Sequence, residues 1–229
     1  MRWLRRPLCS RPNDKNDRKA LITPNECPMN DATDHIETQT ETSVRERILT
    51  TAERLFREVG YHKTTVADIA RELRMSPANV YRFFDSKKSI NVGVARRLMS
   101  EVEQASERIA SGKTSATERL RALLANMHRM NSDRYVADAK MHDMVAVAME
   151  ENWEVCQQHS DCIGGMIAAI VADGAASGEF RVADVATTAQ CVGTAFIRFC
   201  HPMLIAQCAD KPGPTLEQMI DFILAGLKA

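Results

Sequence analysis

The sequence predicts an all-α protein in which an N-terminal three-helix domain is joined by a long helix to a C-terminal helical bundle. Apolar residues recur every three or four positions along most of the chain after residue 42, which places them on one side of a helix. Residues that favour helix N-termini stand directly before several of these stretches. The chain has only 10 glycines and 8 prolines in 229 residues, whereas an all-β architecture needs many turns.

The first 42 residues are predicted to form a disordered extension, because they are polar and show almost no apolar periodicity. Such a segment cannot bury enough apolar surface to offset the entropy lost on ordering. Two interpretations of it remain open. Either it is a basic arm that contacts a polyanion such as nucleic acid, or translation begins at Met29 and only an acidic stretch precedes the first domain. Peptide mass spectrometry of the native protein would distinguish them.

Residues 43–97 are predicted to form a domain of three helices. Gly60 ends the first helix, and Pro77 suits the first position of the third because its missing N–H would be unbonded there. The residues predicted to cap the three helices at their N-termini are Ser43, Thr65 and Ser76. The apolar positions predicted to form the core are Val44, Ile48, Ala52, Leu55, Phe56, Val59, Val66, Ile69, Ala70, Leu73, Val80 and Phe84.

The second and third helices, joined by a tight turn, have the outline of a helix-turn-helix that reads DNA. Val80 and Phe84 are four residues apart and can pack inward together. An exposed tyrosine and arginine on the other face need a partner. The net charge of the whole chain is +0, but basic residues outnumber acidic ones in the first 100 residues. A nucleic-acid partner fits that charge. The outward-facing residues are Ala78, Asn79, Tyr81 and Arg82.

Residues 43–97 resemble the N-terminal domain of TetR/AcrR-type transcriptional regulators. The resemblance implies that the segment from Pro77 to Arg82 enters the major groove of DNA. The family commonly has glycine where Arg74 stands, so Arg74 would have to tolerate a strained backbone. The matching pattern is Ile48-Leu49-x-x-Ala52, Leu55-Phe56-x-x-x-Gly60-Tyr61, Thr64-Thr65-Val66-x-x-Ile69-Ala70 and Ser76-x-x-x-Val80-Tyr81-x-x-Phe84-x-x-Lys87.

The same resemblance assigns roles to the candidate DNA-binding residues. It implies that three side chains bind phosphates: Thr65, Tyr81 and Lys87. It implies that four others lie nearest the base edges: Pro77, Ala78, Asn79 and Arg82. Thr64 and Ser76 complete the predicted DNA-binding set.

Residues 98–229 are predicted to form a helical effector-binding and dimerisation domain. A long helix capped by Ser86 leads out of the first domain and continues to the break at Ser111-Gly112. Five more helices are predicted, beginning after Ser115, near Tyr135, near Trp153, after Asp184 and after Thr215. The fourth of these is expected to continue to about Ala206, and the last to Lys228.

The last two helices are predicted to pair with their copies in a second chain, the arrangement that the family resemblance implies. Ala189, Gly193 and Ala195 are small enough to permit a close approach. Packing within one chain is the alternative use of these residues. A homodimer would place two recognition helices on one side of double-stranded DNA, so a near-palindromic operator is expected.

The middle helices are predicted to enclose a site for a small apolar or amphipathic effector. The chain has 12 methionines, whose flexible side chains suit an adaptable cavity, although methionine at helical spacing also suits an ordinary core. His128 and His142 would supply polar groups. The predicted lining residues are Met127, Met130, Met141, Met144, Trp153, Phe196 and Phe199.

No pattern of an enzyme, a cofactor or a metal site is present. The sequence has no Gly-rich phosphate loop, no G-x-S-x-G and no H-E-x-x-H. His159 and Cys162 form only one pair, whereas zinc requires three or four ligands. The 7 cysteines include no C-x-x-C pair, and no apolar run reaches the ~20 residues of a membrane helix. A redox-sensing pair of Cys156 with Cys162 is left open.

The sequence therefore predicts a cytoplasmic, dimeric, sequence-specific DNA-binding regulator. Its simplest form is a repressor that is released by a small-molecule effector. A helical interaction module and a redox-responsive regulator without a ligand are the alternatives.

Overall fold

The computed structural model describes residues 31–135, 139–151 and 153–228, with side chains from residue 41 onward except at 139, 141, 142, 150, 151 and 153. The regular secondary structure of the described part consists of helices joined by turns and loops, apart from one antiparallel bridge between Phe180 and Lys228. The chain divides into two units, residues 1–39 and 40–229, and the packing below is that of the second. The helices are α1 Asp31–Glu58, α2 Val66–Glu72, α3 Pro77–Tyr81, α4 Lys87–Ala110, α5 Ala116–Tyr135, α6 Ala139–Glu151, α7 Trp153–Ser177, α8 Val185–Cys200, α9 Pro202–Cys208 and α10 Leu216–Leu227.

The beginning of α1 differs from the prediction. The helix begins at Asp31, whereas the sequence predicted a disordered extension up to residue 42 and a helix capped by Ser43. Ser43 instead lies inside the helix, because no glycine or proline interrupts the chain from Asp31 to Glu58. Residues 1–30, where the rest of the predicted extension falls, lie outside the described residues.

Helices α1 to α4 pack around the first core. The predicted caps of α2, α3 and α4 are confirmed, since the side chains of Thr65, Ser76 and Ser86 each accept a hydrogen bond from the backbone three residues later. Val59 was predicted to face inward but is exposed, because it lies beyond the last residue of α1. The fully buried members of this core include Ile48, Ala52, Phe56, Ile69, Val80, Ile90 and Val94.

Helices α4, α5, α7, α8 and α10 contribute residues to a second core. The predicted caps Asp184 and Thr215 are confirmed at the starts of α8 and α10. The fourth predicted helix ends earlier than expected, at Cys200. Pro202 lacks an N–H and cannot continue it, so the chain bends by 56° into α9. Within the described ranges no single helix is long and apolar enough to span a membrane; only α8 and α9 taken together pass that test.

Candidate functional site

Helix α3 has the form expected of a recognition helix. Pro77 occupies its first position, and the Ser76 hydroxyl accepts a hydrogen bond from the Asn79 N–H at 3.2 Å. Val80 and Phe84 are buried beneath it, and Arg45 of α1 donates a hydrogen bond to the Phe83 carbonyl at 2.8 Å. Sequence reasoning missed this contact of Arg45, which fixes the end of the recognition segment. The outward side chains are Pro77, Ala78, Tyr81 and Arg82, with Asn79 half-buried.

The turn between α2 and α3 contains the strained residue that the sequence predicted. Arg74 has φ of 56°, in the left-handed region that favours glycine. The Arg74 N–H donates to the Arg71 carbonyl, and the Met75 N–H donates to the Ala70 carbonyl at 3.0 Å. These bonds close the turn and hold its backbone in that conformation, while the Arg74 side chain remains exposed.

Thr65 is exposed, but its hydroxyl already serves the N-terminus of α2. It accepts a hydrogen bond from the Asp68 N–H at 3.1 Å, and it donates to the Asp68 carboxylate at 2.6 Å. The hydroxyl of Thr65 lowers the pKa of Asp68, with further contributions from the Thr65 N–H and from Arg71. A phosphate would have to compete with that carboxylate for the Thr65 hydroxyl.

Thr64 is buried, unlike its neighbour Thr65, which the sequence also assigned to DNA binding. Its side chain is only 2% exposed, and its hydroxyl donates to the Gly60 carbonyl at 2.8 Å. A buried hydroxyl with a partner inside the protein is poorly placed for DNA, so the DNA-binding role of Thr64 stays a prediction that this geometry does not favour. The hydroxyl instead satisfies a carbonyl at the turn that follows α1, where Gly60 has φ of 103°.

Lys87, for which the family resemblance implies a phosphate contact, points toward backbone carbonyls. Its ammonium group donates to the carbonyls of Tyr61 at 3.0 Å, Thr64 at 3.1 Å and His62 at 3.4 Å. These contacts use all three of its N–H groups. The ammonium group also lies 4.3 Å from the centre of the Tyr61 ring, and burial lowers the pKa of Lys87. The predicted phosphate ligand is therefore occupied in holding the loop between α1 and α2.

A cavity of about 930 Å³ lies between α4, α5, α6, α7 and α8. Three of the predicted residues line it: Met127, Met144 and Phe196. Met130 and Phe199 instead pack in the second core and are absent from the described lining. The predicted polar group His128 is 2.9 Å from the Phe199 carbonyl. The predicted side chains that lie outside the described residues are Met141, His142 and Trp153.

Several polar groups of the cavity were not predicted from the sequence. His159 Nδ1 is 2.7 Å from a carboxylate oxygen of Glu103, and Asn131 donates to the Cys200 carbonyl at 2.7 Å. Burial raises the pKa of Cys200 to about 11 and lowers the pKa of His201. A polar residue between apolar ones on a helix was the available signal for Asn131, but the sequence does not say which helices meet there.

Helix α6 belongs to both halves of the molecule. Met144 and Val145 line the cavity, and they are also buried members of the first core. Asn91 of α4 donates a hydrogen bond to the Met144 carbonyl at 3.1 Å, and Lys140 donates to the carbonyl of Glu58, the last residue of α1, at 2.6 Å. A change in the position of α6 would therefore alter its contacts with α1 and α4.

These features define a helix-turn-helix protein whose second domain contains a cavity. The family model for bacterial regulatory proteins of the tetR family matches residues 48–90, and the model for the tetracyclin repressor-like C-terminal domain matches residues 116–218. Together they cover more than half of the chain. The chain belongs to the TetR family of bacterial regulatory proteins.

The curated relatives match mainly in the DNA-binding part. The transcriptional regulator HbdR of Aromatoleum sp. (strain CIB) is 36% identical over 76 residues, which is 33% of this chain and 33% of HbdR. The biofilm operon negative regulator IcaR of Staphylococcus aureus (strain Newman) is 45% identical over 47 residues, which is 20% of this chain and 25% of IcaR. The matched segment thus spans about a third of HbdR and about a quarter of IcaR.

Solved structures share the fold over most of the chain. A TetR/AcrR-family regulator from Thermobifida fusca superposes with a TM-score of 0.60 at 22% identity, covering 82% of this chain and 100% of that one. FadR from Bacillus subtilis, in complex with stearoyl-CoA, gives a TM-score of 0.58 at 17% identity, covering 80% of this chain and 98% of that one. At these identities the likeness concerns the fold alone.

Proposed function

We propose that this regulator is a dimeric repressor that leaves a near-palindromic operator when a small apolar or amphipathic effector enters the cavity. The observation that carries the proposal is that α6 contributes both to the wall of the cavity and to the first core. Met144 and Val145 of this helix line the cavity and are buried in the core of the DNA-binding domain. An effector that displaces α6 therefore has a direct physical connection to α1 and α4.

Release requires that the effector bind one arrangement of the chain more tightly than the other. A ligand with equal affinity for the DNA-binding and free arrangements shifts neither population. Met144 is fully buried at the wall of the cavity, so an effector too large for the existing space displaces this side chain. Since the same side chain packs in the first core, that displacement would distinguish the two arrangements.

A dimer is supported by the outer face of α10. Phe222 of this helix is 70% exposed. A Cβ atom added at Gly226 would have no neighbour within 4 Å, so a second helix can approach there, whereas Gly193 and Ile197 of α8 line the cavity. Pairing of α10 with its copy around a two-fold axis would bury Phe222 and would present two α3 helices to one operator.

Two comparisons support the sign of regulation and the presence of a ligand. IcaR, which resembles this chain in the DNA-binding part, is a negative regulator. FadR from Bacillus subtilis, which shares the fold, binds stearoyl-CoA. We extend repression and effector binding, but not the ligand itself, from these proteins to this one.

The redox alternative has less support. Cys156 and Cys162 both lie on α7, and six residues of helix separate their Cα atoms by about 9 Å, beyond the span of a disulfide. Burial raises the pKa of both thiols, and Glu103 and Glu107 raise that of Cys162 further. A sensor cysteine needs the opposite shift, toward the thiolate.

Binding of fluorescent duplexes tests the proposal. The duplexes would be inverted repeats from the DNA flanking the gene of this protein, and light scattering would give the mass of the complex. We expect two chains per inverted repeat and loss of binding when an effector is added. A single chain per repeat would contradict the dimer, and binding that no small molecule weakens would contradict release by an effector.

The base-reading residues are tested with the same duplexes. We expect Arg82→Ala to cost about 1–3 kcal/mol on the preferred sequence and little on substituted ones, if Arg82 binds a base edge directly. Tyr81→Phe should weaken binding to all sequences alike, because a phosphate contact carries no sequence information. Footprinting that shows an unchanged sequence preference for Arg82→Ala would remove Arg82 from the base readers.

A further inference from the structure

The charges around the cavity are unbalanced. No lysine or arginine is among the described residues that line it. The stretch from 136 to 153, where some side chains are undescribed, contains only one such residue, Lys140, and this binds the Glu58 carbonyl. Any positive charge on His159 is matched by Glu103, 2.7 Å away. Asp161 adds a negative charge on α7, where it accepts a hydrogen bond from Gln157 at 2.8 Å.

The other titratable groups of the cavity are uncharged near neutral pH. Cys156 and Cys200 both line it, and burial raises the pKa of each thiol, that of Cys200 to about 11. His201 also lines the cavity, and burial lowers its pKa, which favours the neutral ring. An anionic ligand would thus find no unmatched cation among the described lining residues.

Asn131 offers a neutral group for recognition. It is only 8% exposed, lines the cavity on α5, and donates to the Cys200 carbonyl at 2.7 Å. Because a carbonyl can only accept, this bond fixes which end of the amide is nitrogen. The amide oxygen has no hydrogen-bond partner among the residues that the structure describes, so it remains available to a ligand that carries a donor.

We infer that the cavity binds an uncharged, largely apolar molecule with a hydroxyl or similar donor that Asn131 receives, and that it rejects carboxylates and coenzyme A thioesters. This inference rests on the proposed effector function and specifies its ligand class. The apolar wall contributes affinity through burial, while an unpaired carboxylate loses its hydration without compensation. The selectivity differs from that of FadR, whose ligand is a coenzyme A thioester.

A matched ligand series tests the inference. The full chain would be titrated with 1-decanol, decanoate at pH 8, decyltrimethylammonium and decanoyl-CoA, and both the melting temperature and the release of operator DNA would be measured. We expect 1-decanol to bind at least about a hundredfold more tightly than decanoate or the thioester, since their negative charges would lose hydration without gaining a cation. The cation is expected to bind more weakly than the alcohol.

Two substitutions sharpen the result. Ser160→Arg places a cation at the lining of the cavity on the exposed side of α7 and should improve decanoate binding, whereas Ser160→Gln should not. Asn131→Leu should weaken 1-decanol binding at least several-fold. Tighter binding of decanoate, the thioester or the cation to the unmodified chain would overturn the ligand class but leave the effector cavity standing. Failure of every compound to bind or to release DNA would contradict the effector cavity itself, and this inference with it.

Discussion

At the scale of single residues, the DNA-binding domain separates side chains that face outward from side chains that hold the framework. Tyr81 and Arg82 are exposed, whereas Thr64 and Lys87 satisfy backbone carbonyls around the turn after α1. Sequence patterns place all four within one motif and cannot make this distinction. One signal was present in the sequence. Lys87 is the first residue of a helix, where the helix dipole disfavours a cation, so a lysine there requires special partners.

The position of Lys87 leads to a prediction that separates a framework role from phosphate binding. Lys87→Ala should lower the free energy of unfolding by about 1–3 kcal/mol, because hydrogen bonds from a charged donor are lost. Operator binding should weaken as a result, but the dependence of affinity on salt should stay unchanged. Lys63→Ala, the same charge change at an exposed position of the same domain, is the control. A salt slope reduced by about one, with normal stability, would show instead that Lys87 binds a phosphate.

Arg74 provides a second test at this scale, because its backbone is in the left-handed region with φ of 56°. Arg74→Gly should stabilise the domain by up to about 1 kcal/mol, since glycine adopts this conformation without the clash of a Cβ atom. Arg74→Ala removes the same charge but keeps the clash, so it should bring no gain. Urea unfolding of both variants measures the difference. Equal stability of the two variants would mean that the turn is not strained.

At the scale of helices, local patterns predicted most helix N-termini correctly. They failed where residues distant in sequence contribute to a helix N-terminus. Thr65, Ser76, Asp184 and Thr215 cap the helices as predicted, because a cap involves only the next three residues. The Ser115 hydroxyl caps α5 by accepting a hydrogen bond from the Glu118 N–H, and a second, distant cap was not revealed by the sequence. The Glu179 carboxylate accepts hydrogen bonds from the Ala116 and Thr117 N–H groups, both at 3.0 Å, across 62 or more positions of sequence.

This distant cap makes part of the stability depend on pH. The hydrogen bonds from the Thr117 and then the Ala116 backbone lower the pKa of Glu179 from its ordinary value of 4.5. A lowered pKa in the folded state gives a contribution that is present above pH 4.5 and is lost as the pH falls through the folded pKa. Glu179→Gln should therefore lower the melting temperature at pH 7, and the difference from the unmodified chain should shrink below pH 4.5.

The control for this effect is Glu118, which lies on α5 itself. Glu118 accepts a hydrogen bond from the Ser115 N–H at 3.2 Å but receives none from a distant segment. Glu118→Gln should have a smaller effect at pH 7 than Glu179→Gln. A melting-temperature loss for Glu179→Gln that stays constant from pH 7 to pH 3 would show that the carboxylate charge is unimportant for the cap.

At the scale of the whole molecule, the sequence predicted the two domains and the connecting helix, but not the contacts between them. The apolar period of α5 and α8 predicts which face is buried, yet residues one turn apart on that face have different surroundings. Four such residues pack in or against the second core, but Met127 and Phe196 also line the cavity, whereas Met130 and Phe199 do not belong to its described lining. Helical spacing predicts which face of a helix is buried but not which residues pack against that face. The sequence therefore predicted that a cavity lies among these helices, but not all of its lining residues.

The polar contact between α4 and α6 is the feature of the whole molecule that we expect to govern release. Asn91 is 1% exposed, and its amide oxygen is buried with no hydrogen-bond partner among the described residues. Such an unpaired group costs about 1–3 kcal/mol, so Asn91 is a poor choice for stability alone. Its amide nitrogen nevertheless joins α4 to the Met144 carbonyl at the wall of the cavity.

Asn91→Leu should therefore retain stability and operator affinity, but should need about 5- to 10-fold more effector for release, a coupling loss of about 1 kcal/mol. Ser106→Ala is the matched control. Ser106 is also on α4, is fully buried, and has a hydroxyl with no partner among the described residues, but it lies four turns from Asn91. Anisotropy titrations of operator complexes with the effector that releases the unmodified chain provide the measurement. If Asn91→Leu and Ser106→Ala are released at the same effector concentration, the contact between Asn91 and Met144 does not transmit the signal.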